Sequence, residues 1–150
     1  MQRAAMAAFD SLLPDLSATQ DLAGKIAALL RAGDVIALKG DLGVGKTEFA
    51  RALLQAMGVK GEVPSPTFTI LQTYDTARFS VTHFDLYRLK SANELDELGW
   101  DDALADGVTF VEWPERAGDR LPTDRLDISL AILPGGMRRC LIEPCGNWNK

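Results

Sequence analysis

The stretch Gly40-Asp41-Leu42-Gly43-Val44-Gly45-Lys46-Thr47 fits the pattern G-x-x-x-x-G-K-[ST] at every required position. The pattern constrains the fold because it works only between a buried strand and a helix. Both flanks read that way. Val35-Ile36-Ala37-Leu38 is a short apolar run, and Glu48 to Met57 has helical character. Gly40, Gly43 and Gly45 permit turns that a side chain obstructs. The freed N–H groups and the positive end of the helix dipole then form an anion site for phosphates. Lys46 is placed to reach terminal phosphates, and the Thr47 hydroxyl suits a Mg²⁺ ligand.

The rest of the chain reads as alternating helices and strands. Ser17-Ala18-Thr19-Gln20 has the capping-box pattern, with Leu22, Ile26, Leu29 and Leu30 recurring at helical spacing and Gly33 as the stop. Two prolines stiffen the loop Pro64-Ser65-Pro66-Thr67. Phe68 to Tyr74 and Phe79 to Leu86 predict an antiparallel hairpin about Asp75-Thr76-Ala77-Arg78. Ser91-Ala92-Asn93-Glu94 opens a short helix, and Asp101-Asp102 begins another turn. Val108 to Trp113 reads as a strand stopped by Pro114. Leu126 to Leu133 and Arg139 to Ile142 read as a terminal hairpin across Pro134-Gly135-Gly136. The expected fold is α/β, a P-loop NTPase-like three-layer arrangement with a mixed parallel and antiparallel sheet flanked by helices, in one domain over residues 1–150.

Hydrolysis or transfer also needs an acid near Mg²⁺. In α/β folds such acids sit at the carboxyl ends of buried strands. Asp85 and Glu112 are the two that qualify. One would hold the metal, and the other would polarise the attacking water or tighten the metal shell. Ser65 and Thr67 lie where other nucleotide hydrolases sense the terminal phosphate.

The net charge of −5 disfavours autonomous nucleic-acid binding, which rests on clustered Lys and Arg. No apolar run reaches the roughly 20 residues of a bilayer span. The N-terminus lacks the apolar core of a signal peptide, so a cytoplasmic protein without a membrane role is expected. The two cysteines, Cys140 and Cys145, and the single histidine, His83, supply neither a disulfide framework nor a zinc site.

Four blocks occur in order: the loop Gly40 to Thr47, Ser65-Pro66-Thr67-Phe68, His83-Phe84-Asp85-Leu86-Tyr87-Arg88-Leu89, and Val111-Glu112-Trp113-Pro114. Together they resemble the TsaE (YjeE) family, from about Leu13 to Arg139. The resemblance implies a small ATPase, weak alone, in the threonylcarbamoyladenosine modification of tRNA. It implies work with the TsaB and TsaD proteins, resetting that complex between turnovers and meeting tRNA only through them. It implies ATP and Mg²⁺ as cofactors. Leu42, Gly43, Val44, Gly45, Lys46 and Thr47 would cradle the phosphates, Thr47 and Glu112 would ligate Mg²⁺, and Asp85, Glu112 and Lys46 would serve catalysis. Trp113 and the Ser65-Pro66-Thr67 loop would lie near the site. Leu16, Thr19 and Gly136 would contact the base. Met137 stands where a basic residue often follows the glycine, leaving Arg138 and Arg139 for that contact.

Other readings of the loop are a small kinase, a regulatory GTPase and a phosphate-holding module without hydrolysis. A kinase usually adds an arginine-bearing lid. Here Arg116, Arg120 and Arg125 are scattered through a connection. Asp96-Glu97-Leu98-Gly99 matches D-x-x-G, but within a predicted helix, and no Asn-Lys-x-Asp signature is present. Arg88 and Arg116 are candidate arginine fingers, weighed against ordinary surface ion pairs.

Overall fold

The structure is a computed structural model and describes residues 7–60 and 70–148. Among these residues seven strands form one sheet: β1 (Phe9–Leu13), β2 (Val35–Lys39), β3 (Leu71–Asp75), β4 (Ser80–Asp85), β5 (Val108–Glu112), β6 (Arg125–Ile132) and β7 (Arg138–Cys145). Their spatial order is β1-β7-β6-β2-β5-β4-β3. β2 runs parallel to β5 and β6, and β4 runs parallel to β5. The hairpins β3–β4 and β6–β7, and the pair β1–β7, are antiparallel. The expected three-layer α/β fold with a mixed sheet is therefore present.

Strand parity divides the core in two. Ile36 and Leu38 of β2, Val81 of β4, and Val108 and Phe110 of β5 face the helices α1 (Leu16–Leu29) and α2 (Lys46–Ala56). Val35, Phe84 and Val111 face the other way. There they meet Leu95 of a 3₁₀-helix (Ala92–Leu98), Trp100 of α3 (Trp100–Asp106) and Ala117 of a second 3₁₀-helix (Pro114–Arg120). Side chains two apart share a face because strand direction alternates residue by residue. His83 and Asp85 therefore follow Val81, and Glu112 follows Phe110, toward α2.

The same rule sends Lys39, Arg125 and Asp127 to the opposite face. The Asp127 carboxylate, 5% exposed, accepts from Lys39 Nζ at 2.8 Å and Arg125 Nε at 2.7 Å. Burial alone would raise this carboxyl, but the two cationic donors outweigh it and hold it below the usual carboxylate range.

Several boundaries differ from the sequence expectation. α1 starts at Leu16, capped by Asp15, whose carboxylate accepts from Ala18 N at 2.9 Å; Ser17 lies inside the first turn. Asp15 caps the helix two residues earlier, its carboxylate serving the third amide on, as an N-cap side chain does. α2 starts at Lys46, two residues before the expected start, because Gly45 in the left-handed region is its N-cap. β1 and the 3₁₀-helix after Pro114 have no counterpart in the sequence reading. β1 is an exposed edge strand held through its pairing with β7, and it offers little alternation to read. The start of the expected strand at Phe68 lies outside the described residues. The short helix at Ser91 is present as 3₁₀, with Ser91 Oγ accepting from Asn93 N at 3.2 Å. Among the described residues no helix is long and apolar enough to cross a membrane.

Candidate active site

The glycine loop leaves β2 and enters α2. Gly40 sits at φ 141°, and a Cβ there would come 2.5 Å from the Leu130 carbonyl oxygen of β6. The loop is thus pressed against the sheet, and only glycine fits. Gly45 has φ 104°, and its carbonyl accepts from Phe49 N at 2.9 Å. α2 has no side-chain cap. Its leading N–H groups are left for an anion.

Around this loop the parity of three strands gathers polar side chains. Thr47 Oγ1 donates to Glu112, lying 3.0 Å from Oε1 and 2.9 Å from Oε2, across 65 residues of sequence. Glu112 is 3% exposed and neighbours Asp85 in the β4–β5 register. Asp85, 5% exposed, accepts from Tyr87 N at 3.0 Å. His83, fully buried, lies with Nε2 2.6 Å from Glu112 Oε2.

Lys46 Nζ donates to the Gly40 carbonyl at 2.6 Å and lies 3.4 Å from the centre of the Trp113 ring. Burial lowers the Lys46 amine below the usual range, against the opposing pull of Glu112, Glu115, Asp85 and Asp41. Trp113 adopts a left-handed backbone, φ 57° and ψ 51°, immediately after Glu112. Such a conformation is rare for a bulky residue. It turns the ring over the loop lysine and against Tyr87, with ring centroids 5.0 Å apart.

The loop and the two strand-end acids line one cavity of about 450 Å³. Leu42, Gly43, Gly45, Lys46 and Thr47 form one wall, and Asp85, Glu112 and Trp113 form the other, with Tyr87, Arg88 and Arg138 at the rim. Val44 is 6% exposed and packs into the core; its carbonyl accepts from Arg138 Nε at 2.8 Å. Parity decides between the two arginines after Met137. Arg138 shares a face with Cys140 and Ile142 and reaches the loop. Arg139 points away and pairs with Asp10. Leu16, Thr19 and Gly136 do not line this cavity. Leu16 is 51% exposed and lines, with Glu48, a separate smaller cavity; Glu48 also lines the loop cavity. Thr19 is 7% exposed, its hydroxyl turned to the Asp15 carbonyl. Gly136 forms the β6–β7 turn. The Ser65-Pro66-Thr67 loop lies outside the described residues. Arg116 donates to the Leu89 carbonyl at 3.3 Å, and Arg120 pairs with Asp96 on the opposite face of the sheet. That pairing also takes the Asp96 D-x-x-G match away from the loop. A second cavity, about 440 Å³ between β1 and α1, holds none of the strand-end acids. Cys140 is buried and its thiol is pushed up to about 12, chiefly by burial, which fits a packing role.

A family model described as "Threonylcarbamoyl adenosine biosynthesis protein TsaE" matches residues 13–139. The chain belongs to the TsaE family. It is 42% identical over 125 residues to the tRNA threonylcarbamoyladenosine biosynthesis protein TsaE of Rickettsia bellii, covering 83% of this chain and 87% of that one. It is 35% identical over 130 residues to the protein of the same name from Bacillus subtilis, covering 86% and 81%. Its fold superposes on the crystal structure of Bacillus subtilis YdiB with a TM-score of 0.79, at 28% identity, over 97% of this chain and 92% of that one. The family match includes every residue of the cavity. Sequence reasoning left Arg138 and Arg139 as alternatives and did not place His83, which is buried behind the cavity wall against Glu112. Alternation along β4 and β7 is the signal that finds them.

Proposed function

We propose that the chain is the ATP-binding and ATP-hydrolysing member of the machinery that makes threonylcarbamoyladenosine in tRNA, acting with TsaB and TsaD. The observation that carries this reading is the pairing of Thr47 with Glu112 at the mouth of the glycine loop. It brings a hydroxyl and a buried carboxylate to one point beside the lysine that would meet the terminal phosphates.

The donor set fits Mg²⁺. Among the described residues no three His, Cys, Asp or Glu side chains form an all-protein metal cage. Mg²⁺ does not need one, since it keeps several waters and takes one or two carboxylates with substrate phosphates. Thr47 and Glu112 would hold it, and it would supply neutralisation of charge developing on the phosphate oxygens. The amides of residues 42–47 wrap the phosphates. Lys46 leaves the Gly40 carbonyl to meet them. Asp85, beside Glu112 on the cavity wall, orients the attacking water. The exposed Leu42 and the arginines at the rim leave the mouth open to a partner. The acidic net charge favours tRNA contact through TsaB and TsaD rather than directly.

Phosphate release measured alone and with the TsaB–TsaD pair tests the reading. Slow release alone and stimulation by the pair are expected. Release that stays at background with both partners present would overturn it.

A further inference from the structure

We propose that His83 is a positioning residue: its imidazole holds Glu112 in the orientation that receives the metal. This rests on the reading of Glu112 as a Mg²⁺ ligand. It adds a residue that touches neither the nucleotide nor the metal.

His83 is the single histidine of the chain and has no exposed surface. A fully buried polar ring in an apolar strand requires a partner. Its partner is Glu112 Oε2, at 2.6 Å. A carboxylate accepts, so the geometry puts the proton on Nε2. The other nitrogen, Nδ1, has no hydrogen-bond partner among the described residues. The ring is therefore oriented by its bond to Glu112 and by the edge-to-face contact with Phe110, whose centroid is 6.3 Å away. Packing alone would be served better by an apolar side chain, which leaves no buried nitrogen unpaired.

The two oxygens of Glu112 are consequently unequal. Oε2 takes the imidazole proton, while Oε1 shares only the Thr47 hydroxyl. His83 anchors one end of the carboxylate in the core, and Oε1 is the end presented to a cation. Buried hydrogen-bond partners of metal-ligating groups typically influence metal affinity 10- to 100-fold. Position supports the assignment as well. His83 lies opposite Phe110 in the β4–β5 register, so the imidazole reaches Glu112 from the neighbouring strand without crossing the cavity.

Two variants separate positioning from packing. His83→Leu keeps an apolar side chain and removes the donor. His83→Gln keeps an N–H at about the reach of Nε2. Binding of a non-hydrolysable ATP analogue is titrated calorimetrically with Mg²⁺ and with EDTA, in the untagged full chain. For His83→Leu, Mg²⁺ affinity in the nucleotide complex falls about 10- to 100-fold, while affinity in EDTA is unchanged. His83→Gln recovers most of the loss. In the wild type, the single imidazole's Nε2 resonance, read by ¹⁵N-resolved NMR, moves when Mg²⁺ is added to the nucleotide complex.

Wild-type Mg²⁺ affinity in His83→Leu overturns the proposal. So does failure of His83→Gln to rescue while it melts like the wild type. Should both variants fail to fold, the wild-type NMR spectrum decides, and an Nε2 resonance indifferent to Mg²⁺ overturns it. Glu112→Gln distinguishes the two levels. If that variant keeps the full Mg²⁺ dependence, Glu112 is not the ligand, and the underlying reading falls together with this one.

Discussion

Lys46 is a buried cation whose partners are a carbonyl and an aromatic face rather than a carboxylate. Burial has already lowered its proton affinity, so a phosphate offers it the anion it lacks. Lys46→Ala should weaken nucleotide binding by about 10- to 100-fold, the equivalent of roughly 1.5–3 kcal/mol for a charged hydrogen bond. Equilibrium titration with a fluorescent ATP analogue checks this. Asp127 gives a pH prediction on the other face of the sheet. Its folded carboxyl titrates below the ordinary value, so its stabilisation is complete above that value and is lost as pH falls through the lower, folded one. Asp127→Asn should therefore lose about 2 kcal/mol at pH 7. The gap from the wild type should close in strong acid, as urea unfolding at both pH values would read. At this scale the sequence made Lys46, Thr47, Asp85 and Glu112 legible, because each occupies a motif or a strand end. The place of His83 beside Glu112 escaped because it depends on which face of the strand it occupies, and a buried histidine most often only fills space; the choice between Arg138 and Arg139 waited on the same parity.

Helix α1 ends without a basic residue in its last turn. Arg78, from the β3–β4 turn, supplies the missing cation. Its guanidinium donates to the Ala27 carbonyl at 2.9 Å and to the Leu30 carbonyl. The Ala27 carbonyl also accepts from the capping Leu30 N–H at 3.3 Å, and both carbonyls lie at the helix C-terminus, where a cation is favourable. Arg78→Ala should destabilise the protein by about 1 kcal/mol. Arg78→Lys should restore part of that, since an ammonium meets one carbonyl more readily than two. Chemical denaturation of the three proteins measures the series, and equal stabilities would remove the cap from the account. Elements with strong periodicity were legible: β2, β4, β5 and the hairpin β6–β7. β1 was not, because Phe9, Leu12 and their neighbours are mostly exposed and the strand exists through its register with Arg138 to Ile142. The start of α1 was misplaced for a local reason, namely that two side chains competed to cap it.

For the whole molecule, a ligand that binds only the folded state stabilises it by mass action. ATP with Mg²⁺ at 100 times its dissociation constant should add about 2.7 kcal/mol. In a chain of 150 residues that is roughly 5–11 °C in Tm. GTP at the same concentration should add less, and a GTP shift as large would remove the preference for adenine. Differential scanning fluorimetry separates these outcomes. The layered architecture was legible in advance because a phosphate loop needs a strand before it and a helix after it. The two-faced sheet followed from alternation. Leu16, Thr19 and Gly136, the expected base contacts, sit outside the cavity that holds the acids. One further property follows from the pairing of Leu38, Glu112 and Asp85 across three adjacent strands. Both strand-end acids hang on a single rung, so this protein has a reading frame in space as well as in its gene. One residue added inside β4 or β5 would rotate an acid out of the pocket, whereas the turn at Thr76–Phe79 can change length and leave that rung intact.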